Sequence, residues 1–200
     1  MNIITDCEQG TEEWMTHRVG SVGASSLDKI ITSTGKRSTQ RKKYMYQLAG
    51  EILTGQKAKS FSTPAMEEGI RREAESRELF EMIHEVEIEQ IALMVPDNKP
   101  GWHISPDGLI DRSIGFEVKN PNMSTHVEYL DKAILPTKYK LQLQMSLYVS
   151  GYDKWWFMSH YPGLKPFIIS VDRDDALITI IYKELKLFVA ELNELVERLK

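Results

Sequence analysis

The chain has 200 residues, 42% of them hydrophobic, with a net charge of −4 and a pI near 5.8. That size and composition suit one domain with a sizeable core, and the excess of acid excludes a protein that coats nucleic acid by overall charge. A single cysteine, Cys7, excludes an internal disulfide and any four-cysteine zinc or iron–sulfur site.

No apolar run is long enough to span a membrane, and the first residues lack the basic and apolar regions of a signal peptide, so a cytoplasmic protein is expected. His17, His84, His103, His126 and His160 show no ligand spacing and are expected at the surface or in the core. With no repeat, low-complexity tract or linker, residues 1–200 are expected to form one domain.

In chain order, Thr11 is a candidate N-cap for a helix through Trp14 to Arg18, with Glu12 and Glu13 in its opening turn and Gly20 after its end. Gly23 to Ile30 reads as a loop entering a second helix. Free backbone N–H groups at such a start, with the Ser25 hydroxyl, suit an anion, and Arg18 lies just before it. A serine N-cap beside an unrelated surface arginine would give the same pattern. Lys36, Arg37, Arg41, Lys42 and Lys43 then form a run of five positive charges without an acid. In an acidic protein this is either a phosphate-backbone contact or a solvated face. It leads into a helix over Tyr44 to Leu53.

Ser62, Thr63 and Pro64 open a long helix, with Thr63 at the N-cap and Glu67 and Glu68 at the positive end of the dipole. Its inward stripe is expected to be Met66, Gly69, Glu73, Ser76, Phe80 and Ile83. That puts the Glu73 carboxylate on a buried face, where it needs a metal, a hydrogen-bond network or an arginine such as Arg77 one turn on. Val86 to Val95 reads as a strand, Pro96 to Gly101 as a turn, and Trp102 to Ile104 as a strand.

That strand delivers Ser105-Pro106-Asp107-Gly108, followed by Phe116-Glu117-Val118-Lys119. Asp111, Arg112 and Ser113 supply the reversal between two strands. If the reversal centres on Arg112, position 107 falls opposite 117. The period of 2 sends Glu117 and Lys119 to one face and Phe116 and Val118 to the other, buried face. Two carboxylates and an ammonium so close together are costly unless a cation compensates them, and a hard divalent ion such as Mg²⁺ fits oxygen donors of this kind. Lys119 would orient or activate an attacking water, or stabilise charge on a phosphate. A plain hairpin with a surface Glu–Lys pair is the alternative.

After Asn120-Pro121 the stretch from Thr137 to Ser150 reads as a helix, with Leu141, Met145, Tyr148 and Val149 inward. Gln142 and Gln144 are candidates for holding a phosphate or a catalytic group, and which of them acts is left open. Lys154 to Met158 and Phe167 to Val171 read as strands, with Trp155 and Trp156 expected to pack rather than stack on bases. From Asp174 to Lys200 the residues Leu177, Ile181, Leu185, Phe188, Leu192, Leu195 and Leu199 form one apolar helical stripe.

Asp107, Glu117 and Lys119 resemble the signature of the PD-(D/E)xK nucleases. Taken with Ser105-Pro106-Asp107-Gly108-Leu109 and Gln142-Leu143-Gln144-Met145-Ser146, the likeness narrows to the lambda exonuclease and YqaJ-type viral recombinase branch, from about Gln9 to the mid-170s. The resemblance implies an α/β fold with a restriction-endonuclease-like core, a central mixed β-sheet flanked by helices. It implies that Asp107, Glu117, the Val118 carbonyl and Glu73 hold Mg²⁺, with Mn²⁺ as a substitute, and that Arg18 and Ser25 hold the terminal phosphate. The Gln144–Tyr148 pair would match the glutamine–tyrosine motif of this group.

The activity implied is 5′-to-3′ degradation of one strand from double-stranded DNA ends by a homotrimeric ring, leaving 3′ single-stranded tails for a single-strand annealing protein in phage recombination. If the chain is phage-encoded, it would work in the cytoplasm of a bacterial host. A sequence-specific restriction-type endonuclease and a non-catalytic DNA-binding module are the competing readings.

Overall fold

The computed structural model describes residues 1–58, 63–98 and 100–200, leaving aside the side chains at 65 and 66. Ser62 and the Met66 side chain, both part of the helix expectation, lie outside the described residues. The strands are β1 (Asn2–Ile4), β2 (Val22–Gly23), β3 (Leu93–Val95), β4 (Trp102–His103), β5 (Gly108–Ile110), β6 (Ile114–Lys119), β7 (Lys154–Ser159) and β8 (Phe167–Asp172). The α-helices are α1 (Glu12–His17), α2 (Arg41–Thr54), α3 (Pro64–Arg71), α4 (Glu73–His84), α5 (Met123–Lys132), α6 (Thr137–Ser150) and α7 (Asp175–Leu199).

The central sheet is mixed, in the order β5-β6-β7-β8. β5 and β6 form an antiparallel hairpin, β6 and β7 run parallel, and β7 and β8 are antiparallel. Parallel neighbours need a long crossover, and α5 and α6 supply it. β1 pairs with β3, and β2 runs parallel to β4. Single bridges from Glu89 to Leu109 and from Met94 to Ile104 tie these short strands to the sheet.

Strand alternation sorts the core into two clusters. Phe116, Val118 and Met158 join Phe80 of α4, while Trp155 and Phe157 join the larger cluster with α6 and α7. Helices therefore cover both faces of β6, and Glu117 is buried as well as Phe116. Two glycines permit the close approaches this needs. A Cβ on Gly115 would lie 2.3 Å from the Trp155 ring, and one on Gly108 would lie 2.1 Å from Ile88 Cγ2.

The helices around Thr11 and over 137–150 and 175–199 follow the sequence pattern, and the Thr11 hydroxyl accepts from Trp14 N–H at the start of α1. Four expectations are corrected. The segment expected as a second helix is a short 3₁₀ stretch, Ala24–Lys29, so its dipole is weak. The long helix from 64 breaks at Arg72, whose N–H is shared between the carbonyls of Glu68 and Gly69. Ser76 and Phe80 are buried as the expected stripe has them, while Ile83 is exposed.

Only Leu93–Val95 of the expected Val86–Val95 strand is paired as a strand, because the stretch before it meets the sheet at the single Glu89 bridge. Finally, α6 is buried around most of its circumference, Leu143 and Leu147 included, because it lies between the sheet and the 3₁₀ stretch. At the far end of the stripe on α7, Leu199 is exposed. Among the described residues no helix is long and apolar enough to cross a membrane.

Candidate active site

The β5–β6 hairpin reverses through Asp111 and Arg112, both at φ 50°, with Ser113 N–H bonded to Ile110 O. Arg112 is held in this turn by two hydrogen bonds to Glu89, at 2.8 and 2.6 Å. The register runs Gly108 to Phe116, Leu109 to Gly115 and Ile110 to Ile114, which sets Asp107 beside Glu117. Asp107 closes the open end of the ladder. Its N–H donates to Phe116 O, and its Oδ2 accepts from Val118 N–H at 2.7 Å.

Glu117 points away from Phe116, towards α6. Its Oε1 accepts from Gln142 Nε2 at 2.6 Å and pairs with Lys119 Nζ at 2.5 Å. Glu73, the first residue of α4, reaches the same cluster from the other side of the strand end. It lines a cleft of about 400 Å³ with Gln9, Arg77 and Asp107, and a second of about 460 Å³ with Val118, Lys119 and Tyr139. Glu73 is therefore shared by two clefts, Asp107 opens on the first and Lys119 on the second, while Glu117 is buried behind them.

The electrostatics follow from burial. Desolvation, then the charge of Asp107, pushes Glu73 and Glu117 each up to about 7 against the pull of Lys119. Asp107 is raised by desolvation too, although Lys119 and the Val118 amide oppose the shift. Burial works against the charged form of Lys119, but Glu117 and Asp107 outweigh it and hold the ammonium above the ordinary lysine range. Lys119 and Arg77 set two cations against three carboxylates. Asp107 spends Oδ2 and Glu117 spends Oε1 on the bonds named above, so each keeps a second oxygen for a ligand. The oxygens of Asp107 and Glu117 are donors of the kind a hard divalent cation takes, although the three carboxylates do not come within 4.8 Å of one another as a ligand group.

Arg77, the alternative partner for Glu73, instead donates to the main-chain oxygen of Asp107 at 3.3 Å and faces the Gln90 amide. Of the two glutamines, the structure brings Gln142 to the carboxylates. Gln144 donates to Asp172 O and accepts from Asp174 N–H, tying α6 to the start of α7, so its amide is spent on the backbone. Tyr148 packs against Tyr182 rather than pairing with Gln144.

Arg18 lies at the end of α1 with its guanidinium stacked 3.8 Å from the Trp14 ring centre. It meets the β2 segment two residues before Ser25, which is exposed. Parallel pairing sets Gly23 beside His103, and the chain runs on from His103 through Ser105 and Pro106 to Asp107. Four extended residues reach at most about 14 Å, so the Arg18 cluster is tethered close to the carboxylates.

The basic run is mostly not a free patch. Arg37 and the buried Arg41 are ion-paired with Glu184 and Glu191 of α7, leaving Lys36, Lys42 and Lys43 exposed. Several site neighbours escaped the sequence. Gln9 donates to Pro106 O and Ile91 O, pinning the N-terminal segment to the hairpin. Asn120 accepts from Ser76 and donates to Gly69 O, fixing the residue after Lys119. His103, His126 and His160 are buried and hydrogen-bonded, whereas the exposed His17 comes within 4.8 Å of Asp6 and Cys7. No spacing rule anticipates that group, because its members come from a loop and a helix end.

A mixed sheet flanked by helices, with acidic residues and a lysine gathered at the end of a central hairpin, is the restriction-endonuclease-like fold of the lambda-exonuclease kind of nuclease. Residues 13–153 match the YqaJ-like viral recombinase domain, and the chain belongs to that family. Two solved structures of similar shape are of an alkaline exonuclease, LHK-Exo, from Laribacter hongkongensis. The one in complex with dAMP is 31% identical at a TM-score of 0.87, covering 95% of this chain and 96% of that one. The other is 30% identical at 0.86, covering 94% and 96%. A phage-related exonuclease from Haemophilus somnus, 16% identical at 0.71 over 90% and 96%, shares the fold. No curated protein matches the sequence.

Because Glu73 and Glu117 lie near 7, protons compete with a cation for the site at neutral pH. Divalent-ion affinity measured by calorimetry should be flat above about pH 8 and fall roughly tenfold or more per pH unit below about pH 6.5. The stability sign is opposite for the metal-free protein. The folded carboxylates take up protons before the unfolded ones, so their contribution to stability should rise as pH falls through about 7 towards the ordinary carboxylate range. Affinity that does not change between pH 6 and 8 would show that these carboxylates do not hold the ion.

Proposed function

We propose that this chain is a Mg²⁺-dependent deoxyribonuclease, formed as one domain over residues 1–200. It degrades one strand of linear duplex DNA from the 5′ end and leaves 3′ single-stranded tails for strand annealing in viral recombination inside a bacterial host. The observation that carries the reading is the pairing of Asp107 with Glu117 and Lys119 at the hairpin end, beside two clefts that share Glu73, on a chain segment to which β4 tethers an arginine suited to a terminal phosphate. The relative solved with dAMP supports a mononucleotide product.

Asp107, Glu117, Glu73 and the Val118 carbonyl would hold Mg²⁺ or Mn²⁺, which supplies Lewis acidity for the phosphoryl oxygens and lowers the pKa of water. Lys119, held above the ordinary lysine range by Glu117 and Asp107, would orient or activate the attacking water and offset charge growing on the phosphate. Gln142 holds Glu117 in place through Oε1. Water adds to phosphorus, the bond to the 3′ oxygen breaks, and that oxygen takes up a proton. The shortened strand then carries a new 5′ phosphate for Arg18 and Ser25 to hold.

Asp107→Ala, Glu117→Ala and Lys119→Ala should each lower turnover by roughly two orders of magnitude or more with the fold retained. Only the two carboxylate changes should also weaken Mg²⁺ binding in calorimetry. Near-normal turnover in Glu117→Ala would remove the hairpin from the mechanism.

End-labelled duplexes separate the competing activities. Loss of label from 5′ ends and no cutting of closed circular DNA are expected, and rapid linearisation of the circle would favour a restriction-type endonuclease. The 5′-phosphorylated end should be preferred, and Arg18→Ala should shrink that preference by about ten- to a hundredfold, since charge-assisted bonds are worth roughly 1.5–3 kcal/mol. Equal slowing of both ends in the variant would make Arg18 a general or structural residue.

With Arg37 and Arg41 occupied by α7, the basic run offers DNA three exposed lysines, Lys36, Lys42 and Lys43. Enclosure of the duplex by a homotrimeric ring retains substrate without many contacts. Light scattering should show three copies per particle, and a monomer that degrades DNA processively would exclude the ring.

A further inference from the structure

We propose that His103 is a positioning residue for the end-binding step, its imidazole fixing the Arg18 guanidinium so that only the Nη edge is left to grip a terminal phosphate. This rests on the assignment of Arg18 proposed above.

The argument starts from donors and acceptors. His103 is 1% exposed, and its Nε2 lies 3.0 Å from Arg18 Nε. An arginine nitrogen can only donate, so Nε2 must offer its lone pair. The ring proton then sits on Nδ1, where Ser21 Oγ accepts it at 2.8 Å. An imidazolium would have no lone pair for Arg18. Burial, aided by the nearby charges of Arg18 and Lys57, drops the His103 pKa to about 3, so the ring stays neutral throughout the working range.

The other freedoms of Arg18 are also removed. One face of the guanidinium stacks on Trp14, and the Arg18 carbonyl accepts from Lys57 Nζ at 3.0 Å. Lys57 is in turn paired with Glu51, whose second tie is to Gly20 N–H. With Nε spent on His103, the fork that remains is the Nη1–Nη2 end, and Nη2 lies 3.5 Å from where a Cβ on Gly23 would stand. An end-on fork suits two oxygens of one phosphate. His103 is paired with Gly23 across β2 and β4 and precedes Asp107 on the same chain segment, so the fork is indexed to the carboxylates. A surface arginine without this acceptor would sample many orientations and lose that indexing.

The test is steady-state kinetics on 5′-phosphorylated and 5′-hydroxyl duplexes, with His103→Leu, His103→Gln, Ser21→Ala and Arg18→Ala. His103→Leu should raise KM for phosphorylated ends about tenfold with little change in kcat, and so shrink the preference for phosphate. The amide oxygen of His103→Gln can accept from Arg18 Nε and should recover most of the loss. Nitrogen NMR of the wild-type ring should show the neutral Nδ1–H form down to about pH 5.

The inference is overturned if Arg18→Ala abolishes the phosphate preference while His103→Leu leaves it intact, or if His103→Gln behaves no better than His103→Leu. A preference untouched by Arg18→Ala removes the assignment of Arg18 itself, and with it this role. Should His103→Leu fail to fold, the half-buried Ser21 decides. Ser21→Ala should release part of the ring into the Nε2–H form and raise KM for phosphorylated ends, and an unchanged KM overturns the proposal.

Discussion

The bond from Val118 N–H to the Asp107 carboxylate sets the conditions for everything around it. It holds one acid at the end of a ladder whose next residue, Glu117, is another acid facing the opposite way from the apolar side chains of β6. Once helices cover both faces of β6, that second acid is buried too. Water cannot screen the pair, so the charge must be met by Lys119, by Gln142 and by whatever enters the groove. The raised carboxyl pKa values express the same cost. A fold that buries acids in this way keeps part of its stability in reserve for a cation.

Two features tie that cluster to the Arg18 neighbourhood and to the N-terminal segment. The β2–β4 pairing places the Arg18 neighbourhood beside His103, and the short run from His103 to Asp107 leaves little freedom between anchor and chemistry. Gln9 adds a second tie by bonding the N-terminal segment to Pro106 and Ile91 across the same groove. One tie is a backbone pairing and the other a side chain bonded to two backbone carbonyls. The helical break at Arg72 belongs to this arrangement as well, because it places Glu73 at the first turn of α4, facing the groove.

Charge on the rest of the surface is distributed by tertiary contacts that a linear reading misses. The run from Lys36 to Lys43 looks like one basic patch, yet its two arginines are drawn to Glu184 and Glu191, about 150 residues later in the chain. Arg41 is buried there against Phe188, so it serves to dock α2 on α7. The three exposed lysines that remain are spread along a loop and the outer face of α2.

The local pattern alone was enough to place the hairpin register with Asp107 beside Glu117, the N-cap of α1 and most of the apolar stripe of α7. Each depends on residues within a few positions of one another, where periodicity and turn chemistry are strong. Only the tertiary structure decided that Gln142 and not Gln144 meets Glu117, since the two lie on nearly opposite faces of one helical turn and nothing local says which face meets the strand. It likewise decided that His103 is a neutral acceptor for Arg18, because 85 residues separate the partners and burial, not sequence, sets the tautomer. The 3₁₀ stretch after Gly23 and the break at Arg72 were also beyond the sequence. Both are shifts of hydrogen-bond partner by a single residue, which leave composition and hydrophobic pattern unchanged.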